Sequence, residues 1–207
     1  DCDFHLMVPD PRPLIDTIDS FVPNNKRSNI TITVHRESYR IPEQIGDYAQ
    51  KEYDLLTVDS GDSELNQRLR IANNLAGELL YGTLIGIKGR GYKTGLALEP
   101  GTSLENLASG MTSFIDMILL MSVCSGAGGQ SYHPEVTSKI EELHKAYPDL
   151  IIQVDGGVNE ETLATVVNAG ANNLVIGSYI TSAEDITQRI EEIKRKISEQ
   201  TSHHPSS

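Results

Sequence analysis

A carboxylate and two glycines follow the apolar segment at residues 150–154. Asp155 stands where a buried strand is predicted to end, and Gly156 and Gly157 come directly after it. In α/β barrels the carboxyl ends of the strands hold the reacting groups. Glycines at such a position let backbone N–H groups approach an anion, and a helix N-terminus behind them favours negative charge. The segment therefore predicts a proton-transferring carboxylate beside an anion site.

A second strand end of the same kind lies further along the chain. The segment at residues 173–176 runs into Gly177 and Ser178. Two successive strand ends with small residues are typical of a phosphate site between the last two strands of a barrel. We expect the backbone N–H groups of Gly157, Gly177 and Ser178 to hold that phosphate.

A glycine-rich loop comes after another apolar strand. Met121 ends the strand, and the loop after it contains Gly126, Ala127, Gly128 and Gly129. Such a loop can adopt positive φ angles and wrap a ligand with its N–H groups. A flexible turn is the alternative. The two other glycine-bearing strand ends favour ligand binding.

A histidine interrupts the first apolar strand. His5 shares its predicted orientation with Asp3 and Met7, because alternate residues of a barrel strand point inward. A buried structural histidine is the alternative. If His5 and Asp155 both face the barrel mouth, they can share a divalent metal that stabilises an enediolate oxyanion, while Asp155 exchanges a proton at carbon.

His35 and Glu37 come after the second predicted strand. Their side chains suit a metal site or acid–base chemistry. A polar pair that orders the end of the strand explains them equally well. Both interpretations stay open at the level of sequence.

Strands and helices alternate along the chain, which predicts a parallel α/β sheet. The good strands are predicted at residues 3–8, 30–34, 95–98, 116–121, 150–154 and 174–176, with a shorter extended piece at 53–58. Pro9, Pro11 and Pro13 mark a loop after the first strand. Helices are predicted over residues 14–21, from Ser63, from Ser103, from Pro134, from Asn159 and over residues 186–197. We expect a (β/α)₈ barrel of the TIM type with about six of its eight βα units.

The predicted domain covers residues 1–200. The sequence starts in mid-strand at Asp1, so we expect the first two barrel strands to be missing from the front. The connection at residues 38–91 is longer than one crossover requires and suits a lid or an oligomer contact. Residues 201–207 are predicted to be a disordered tail.

The composition and net charge argue against some classes of binding partner. The chain has 207 residues, a formal net charge of −12 and a pI near 4.8, which argue against a nucleic-acid surface or an anionic membrane. No apolar run is long enough to span a bilayer, and no signal peptide is visible. Cys2 and Cys124 are the only cysteines, which favours a reduced, cytoplasmic protein.

Taken in order, these motifs resemble ribulose-phosphate 3-epimerase. The resemblance covers most of the chain outside residues 38–91 and the tail. It is carried by Asp3-Phe4-His5-Leu6-Met7-Val8, Thr33-Val34-His35-Arg36-Glu37, Gly95-Leu96-Ala97-Leu98-Glu99-Pro100, Met121 to Gln130, Val154-Asp155-Gly156-Gly157, Gly170-Ala171 and Gly177-Ser178.

The resemblance implies a (β/α)₈ barrel that interconverts D-ribulose 5-phosphate and D-xylulose 5-phosphate at C3. It implies a phosphorylated pentulose as substrate and allows a homo-oligomer. It assigns a divalent metal to His5 and Asp155. A mixed set of His and carboxylate ligands suits zinc, iron(II) or manganese(II) without choosing sharply among them. The resemblance also assigns an acid–base role to Asp155. The implied substrate contacts are His5, Met7, Met121, Gly126, Ala127, Gly128, Gly129, Asp155, Gly156, Gly157, Gly177 and Ser178.

Several departures from the family pattern bear on activity. No residue here matches the family's second-strand His and Asp, which are both metal ligands and of which the Asp is also the partner acid–base group. The sequence also departs from the family's usual residues at three further places, which are Cys124-Ser125, Ala127 and Glu99. We therefore expect the chain alone to be inactive. A non-catalytic phosphosugar-binding barrel is the alternative function.

Overall fold

The computed structural model describes residues 1–39, 64–104, 107, 111–124 and 130–201. Within these ranges six parallel strands form one curled sheet in which strands consecutive in sequence lie side by side. They are β1 (Cys2–Leu6), β2 (Ile30–His35), β3 (Lys93–Leu98), β4 (Met117–Met121), β5 (Ile151–Asp155) and β6 (Asn173–Val175). All six carboxyl ends therefore lie at one edge of the sheet.

Helices come after most of the strands. The described helices are α1 (Arg12–Phe21), α2 (Glu64–Gly89), α3 (Glu135–Ala146), α4 (Leu163–Asn168), α5 (Ser178–Thr181) and α6 (Ile186–Thr201), with 3₁₀ turns at Asn24–Asn29, Arg36–Tyr39 and Met111–Phe114. Prolines set two of the starts, because α1 begins after Pro11 and α3 after Pro134. The fixed φ of proline suits the first turn of a helix.

The two sides of the sheet bury different amounts of apolar surface. Its outer side packs against the helices and forms the main core, which includes Ile15, Ile32, Val34, Leu80, Leu96, Ile118, Leu120, Ile140, Leu143, Ile152, Val154 and Val166. On the inner side, Ala97, Leu119 and Met121 form a small second cluster. Both sides of the central strands are thus covered, as their continuous apolar sequences require.

A close contact between strands shapes the inner side near β1. Thr33 of β2 lies opposite Gly95 of β3 and is fully buried. Its hydroxyl donates to Asp3 Oδ1 at 2.7 Å. A Cβ at Gly95 would overlap Thr33 Oγ1 and come within 2.9 Å of its Cβ. Only glycine lets β2 and β3 approach here without displacing Thr33.

The predicted fold class is confirmed by the six-stranded parallel sheet. The strand bounds differ by one or two residues at most ends. The helix predicted from Ser63 is α2. It continues as far as Gly89, because Leu80, Leu84 and Ile87 continue its buried face. The extended piece predicted at 53–58 and residues 202–207 lie outside the described residues. In the described ranges, no helix has both the length and the apolar character that a bilayer crossing needs.

The Gly95 contact generates a stability prediction. We expect Gly95→Ala to lower the free energy of unfolding by about 1–3 kcal/mol, because the new methyl group overpacks the buried Thr33. Gly82→Ala is the matched control, since Gly82 lies in α2 with open space around it. That change should raise stability by about 0.5–1 kcal/mol. Denaturant unfolding of the two variants measures the difference, and equal stabilities would contradict the packing argument.

Candidate active site

The carboxyl edge of the sheet gathers the candidate chemical groups. His5 on β1, His35 on β2, Met121 on β4 and Asp155 on β5 all occupy inner-side positions at or near the ends of their strands. Parallel pairing and the alternation of side chains along each strand account for this placement.

Asp155 is fixed by the end of the neighbouring strand. It lies opposite Met121 in the β4–β5 register. The buried Ser122 donates to the Asp155 carbonyl from its backbone N at 2.8 Å and from its Oγ at 3.0 Å. Burial raises the pKa of the half-buried Asp155 carboxyl, and the charge interaction with His35 only partly offsets this. A raised pKa makes a carboxylate a better proton acceptor, so Asp155 is suited to general acid–base chemistry.

The two glycines after Asp155 have structural reasons of their own. Gly156 and Gly157 have φ angles of 108° and 60°, a region that other residues rarely adopt. A Cβ on Gly156 would overlap Val123, and one on Gly157 would come within 2.7 Å of the Tyr132 backbone N. Val123 and Tyr132 are therefore packed tightly against the turn that follows β5.

Gly177 and Ser178 lie at the exposed end of β6. Gly177 precedes the short helix α5, which starts at Ser178. A Cβ at Gly177 would meet no atom of the described residues within 4 Å. In contrast to Gly156 and Gly157, no packing contact in the described ranges explains this glycine, so open space lies beside it at the strand end.

His5 and His35 form a stacked pair. Their rings are 9° from parallel with centroids 4.8 Å apart, and the two Nε2 atoms lie 2.7 Å apart. Burial, and then the neighbouring charge of His35, lower the pKa of His5 to about 4. His5 is therefore neutral at physiological pH. Asp3 and His5 both contact β2 from the inner side.

Two carboxylates lie on the far side of His35. Its Nδ1 is 3.6 Å from Glu37 Oε2 and 3.6 Å from Glu99 Oε1. Glu37 Oε1 accepts hydrogen bonds from the backbone N of Glu99 and from the Thr102 hydroxyl. Burial alone would raise the pKa of Glu37, but the interaction with His35 and the hydrogen bonds from Thr102 and the backbone lower it to about 2.

Lys139 secures the loop that carries Glu99 and Thr102. Its Nζ donates to the carbonyls of Glu99, Pro100 and Thr102 from helix α3. The network joins β2, β3 and α3 at the mouth of the sheet. Glu37 therefore orders the ends of β2 and β3. This is one of the two interpretations that the amino-acid sequence left open.

The described residues do not complete a metal site. In the ranges that the structure describes, no three or more His, Cys, Asp or Glu side chains are grouped so as to hold an ion. His5 and Asp155 would supply two ligands, whereas catalytic sites generally use three or more. In addition, Nε2 of His5 is already bonded to His35.

The other predicted site residues have different surroundings. Met121 is 4% exposed against Ala97 and Leu119, whereas Met7 lies just beyond β1 and is 54% exposed. Gly126, Ala127, Gly128 and Gly129 lie outside the described residues. The described ends of that loop meet, because Gln130 Nε2 donates to the Cys124 carbonyl at 2.7 Å.

Sequence reasoning missed the residues that support the site. Ser122, Thr102 and Lys139 hold the strand ends that carry Asp155 and Glu37. Ser122 had a detectable signal, since it is a polar residue directly after a wholly apolar strand. Thr102 and Lys139 had no detectable signal in the sequence, because their partners are distant in sequence and are mostly backbone carbonyls.

Comparison with known proteins identifies related sequences. Residues 72–181 match the model of the family described as the ribulose-phosphate 3 epimerase family. Proteins named ribulose-phosphate 3-epimerase from Bacillus subtilis, Buchnera aphidicola (subsp. Schizaphis graminum) and Candida glabrata are 40%, 42% and 37% identical to it. The matches cover 56%, 56% and 54% of this chain and 55%, 52% and 45% of those proteins. The chain thus spans about half the length of the relatives it matches.

The buried carboxylate of Glu37 generates a pH prediction. Its folded pKa of about 2 lies below the ordinary value of 4.5. The resulting stabilisation is complete above pH 4.5 and is lost as the pH falls towards 2, and it amounts to about 3 kcal/mol. We expect Glu37→Gln to remove that part of the pH dependence of the free energy of unfolding. Parallel acid profiles for the wild type and the variant would contradict this.

Proposed function

Because the chain belongs to the ribulose-phosphate 3-epimerase family, we propose that it forms the phosphosugar-binding part of an epimerase and provides one of its two acid–base groups. The substrate pair is D-ribulose 5-phosphate and D-xylulose 5-phosphate, and the reaction belongs to the pentose phosphate pathway. The observation that carries the proposal is Asp155, which has a raised pKa and ends an inner strand beside Gly156 and Gly157.

Asp155 is proposed to remove the proton from C3 on one face of the sugar and to return it. Inversion needs a second acid–base group on the opposite face, so that the proton is delivered from the other side. The family resemblance assigns that group to a strand with no counterpart in this sequence. We therefore propose that the 207-residue chain binds substrate without epimerising it.

The phosphate is proposed to bind at the ends of β5 and β6. Backbone N–H groups of Gly157, Gly177 and Ser178 would donate to it, and the glycine loop at residues 126–129 would cover the sugar, with Met7 and Met121 beside the reacting carbon. Open space at Gly177 supports this placement. Local N–H groups can bind an anion in spite of the chain's net charge of −12.

The family is generally metal-dependent. We propose His5 and Asp155 as two ligands of a zinc, iron(II) or manganese(II) ion, with the remaining ligands supplied from outside the described residues. We also propose a cytoplasmic location, consistent with two free cysteines, Cys2 and Cys124. Assembly into a homo-oligomer remains a prediction.

A non-catalytic phosphosugar-binding protein is the second candidate. It is favoured by the lack of a third metal ligand among the described residues. This candidate shares the phosphate site with the epimerase but requires no role for Asp155. The two candidates therefore predict different activities for a chain to which two further βα units have been added.

A binding measurement tests the phosphate site. Calorimetry should detect binding of ribulose 5-phosphate and of inorganic phosphate to the chain. Gly177→Val should weaken both by about tenfold or more, a loss of about 1.4 kcal/mol, because the side chain enters the open space beside Gly177 where the phosphate is proposed to bind. Gly82→Ala should leave affinity unchanged. A folded wild-type chain that binds neither ligand would refute the site.

A fusion tests catalysis. The first two βα units of the Bacillus subtilis relative are placed before Asp1, and epimerisation is measured with D-ribulose 5-phosphate. We expect turnover by the fusion, none by the chain alone, and a loss of about 10²–10⁴-fold on Asp155→Asn. A folded fusion that binds substrate but never turns it over would support the non-catalytic binder instead.

A further inference from the structure

The stacked pair of His5 and His35 has a property that the proposed function does not use. Their Nε2 atoms are 2.7 Å apart, which is a hydrogen-bond distance. Two lone pairs cannot face each other so closely, so one of the two nitrogens must carry a proton and donate it. The question is which ring donates.

The surroundings of His35 decide the direction. Its Nδ1 faces Glu37 Oε2 and Glu99 Oε1, each at 3.6 Å. Ionised carboxylates only accept hydrogen bonds, so they favour a proton on Nδ1. With its single ring proton on Nδ1, His35 has its lone pair on Nε2, where it can accept from His5 Nε2–H. His35 is only 4% exposed, so its ring is held in this orientation.

Glu37 is itself fixed in this arrangement. Its Oε1 accepts from the Glu99 backbone N at 3.2 Å and from the Thr102 hydroxyl. Its Oε2 is buried without a close hydrogen-bond partner among the described residues, so the nearby His35 Nδ1 is the group it faces. The orientation of His35 is therefore set from the side opposite His5.

We infer that His35, oriented by Glu37 and Glu99, is a positioning residue that fixes His5 with its proton on Nε2. The Nδ1 of His5 is then the ring nitrogen that carries the lone pair. That atom is the one available to a metal ion or to a sugar hydroxyl at the mouth of the sheet. Partners of this kind commonly set the tautomer and the orientation of a functional histidine.

The inference rests on the proposed function only for what binds at Nδ1. The tautomer belongs to the unliganded chain and can be measured without substrate. A chain with the expected tautomer that binds no phosphosugar would overturn the proposed function and leave this inference standing.

Nitrogen NMR of the ¹⁵N-labelled chain near neutral pH tests the inference. Long-range ¹H–¹⁵N correlations should show a protonated, pyrrole-type Nε2 and an unprotonated, pyridine-type Nδ1 on His5. The Nε2 proton should be visible because its hydrogen bond to His35 slows exchange with water. A pyridine-type Nε2 on His5 would overturn the inference, since His35 would then be the donor. This result needs no variant.

Two substitutions separate positioning from simple packing. His35→Gln provides a carbonyl that can accept from His5 and an amide that can donate to the carboxylates, so the Nε2–H signal should persist. His35→Phe keeps a ring against His5 but removes the acceptor. The signal should then be lost, and the Nδ1–H tautomer should rise at least fivefold, with the backbone amide spectrum confirming the fold. An unchanged His5 spectrum in a folded His35→Phe protein would overturn the positioning role.

Discussion

Parallel pairing of the six strands brings every carboxyl end to one edge of the sheet, although the residues there are far apart in sequence. Parallel pairing thus places His5, His35 and Asp155 at the same edge of the sheet. Each contact described at the mouth, from the histidine pair to the turn after β5, requires that pairing. The same pairing leaves β1 and β6 as the outer strands of the described sheet.

The outer side of the sheet stabilises the fold, whereas the inner side carries the candidate chemical groups. Packing against the helices buries the outer side and supplies most of the apolar core. The inner side near the carboxyl ends carries His5, His35 and Asp155 beside the apolar Met121. Ser122 holds the turn after Asp155, while Glu37 and Lys139 hold the turns after β2 and β3. Such networks are rigid because an unpaired member would be costly in a buried place.

Much of the fold could be predicted because its signals are local. The apolar run before Asp155 and the prolines before α1 and α3 set elements without distant contacts. The supporting contacts could not be predicted in the same way. Glu99 comes after a strand in sequence, but its place beside His35 depends on the pairing of β2 with β3. Gly157 suggested a ligand site, whereas its packing against Tyr132 also requires a glycine.

Binding of a pentulose phosphate at the carboxyl edge of this sheet is the central claim of the proposed function. Backbone amide shifts, mapped by NMR during a titration with ribulose 5-phosphate, locate the ligand on the chain. We expect the largest shifts at Asp155, Gly157, Gly177 and Ser178. A cleft of about 610 Å³ beside β6, lined by residues that include Asn172, Ile193 and Gln200, offers a different location. Shifts that gather in that cleft and spare the carboxyl edge would contradict the proposal.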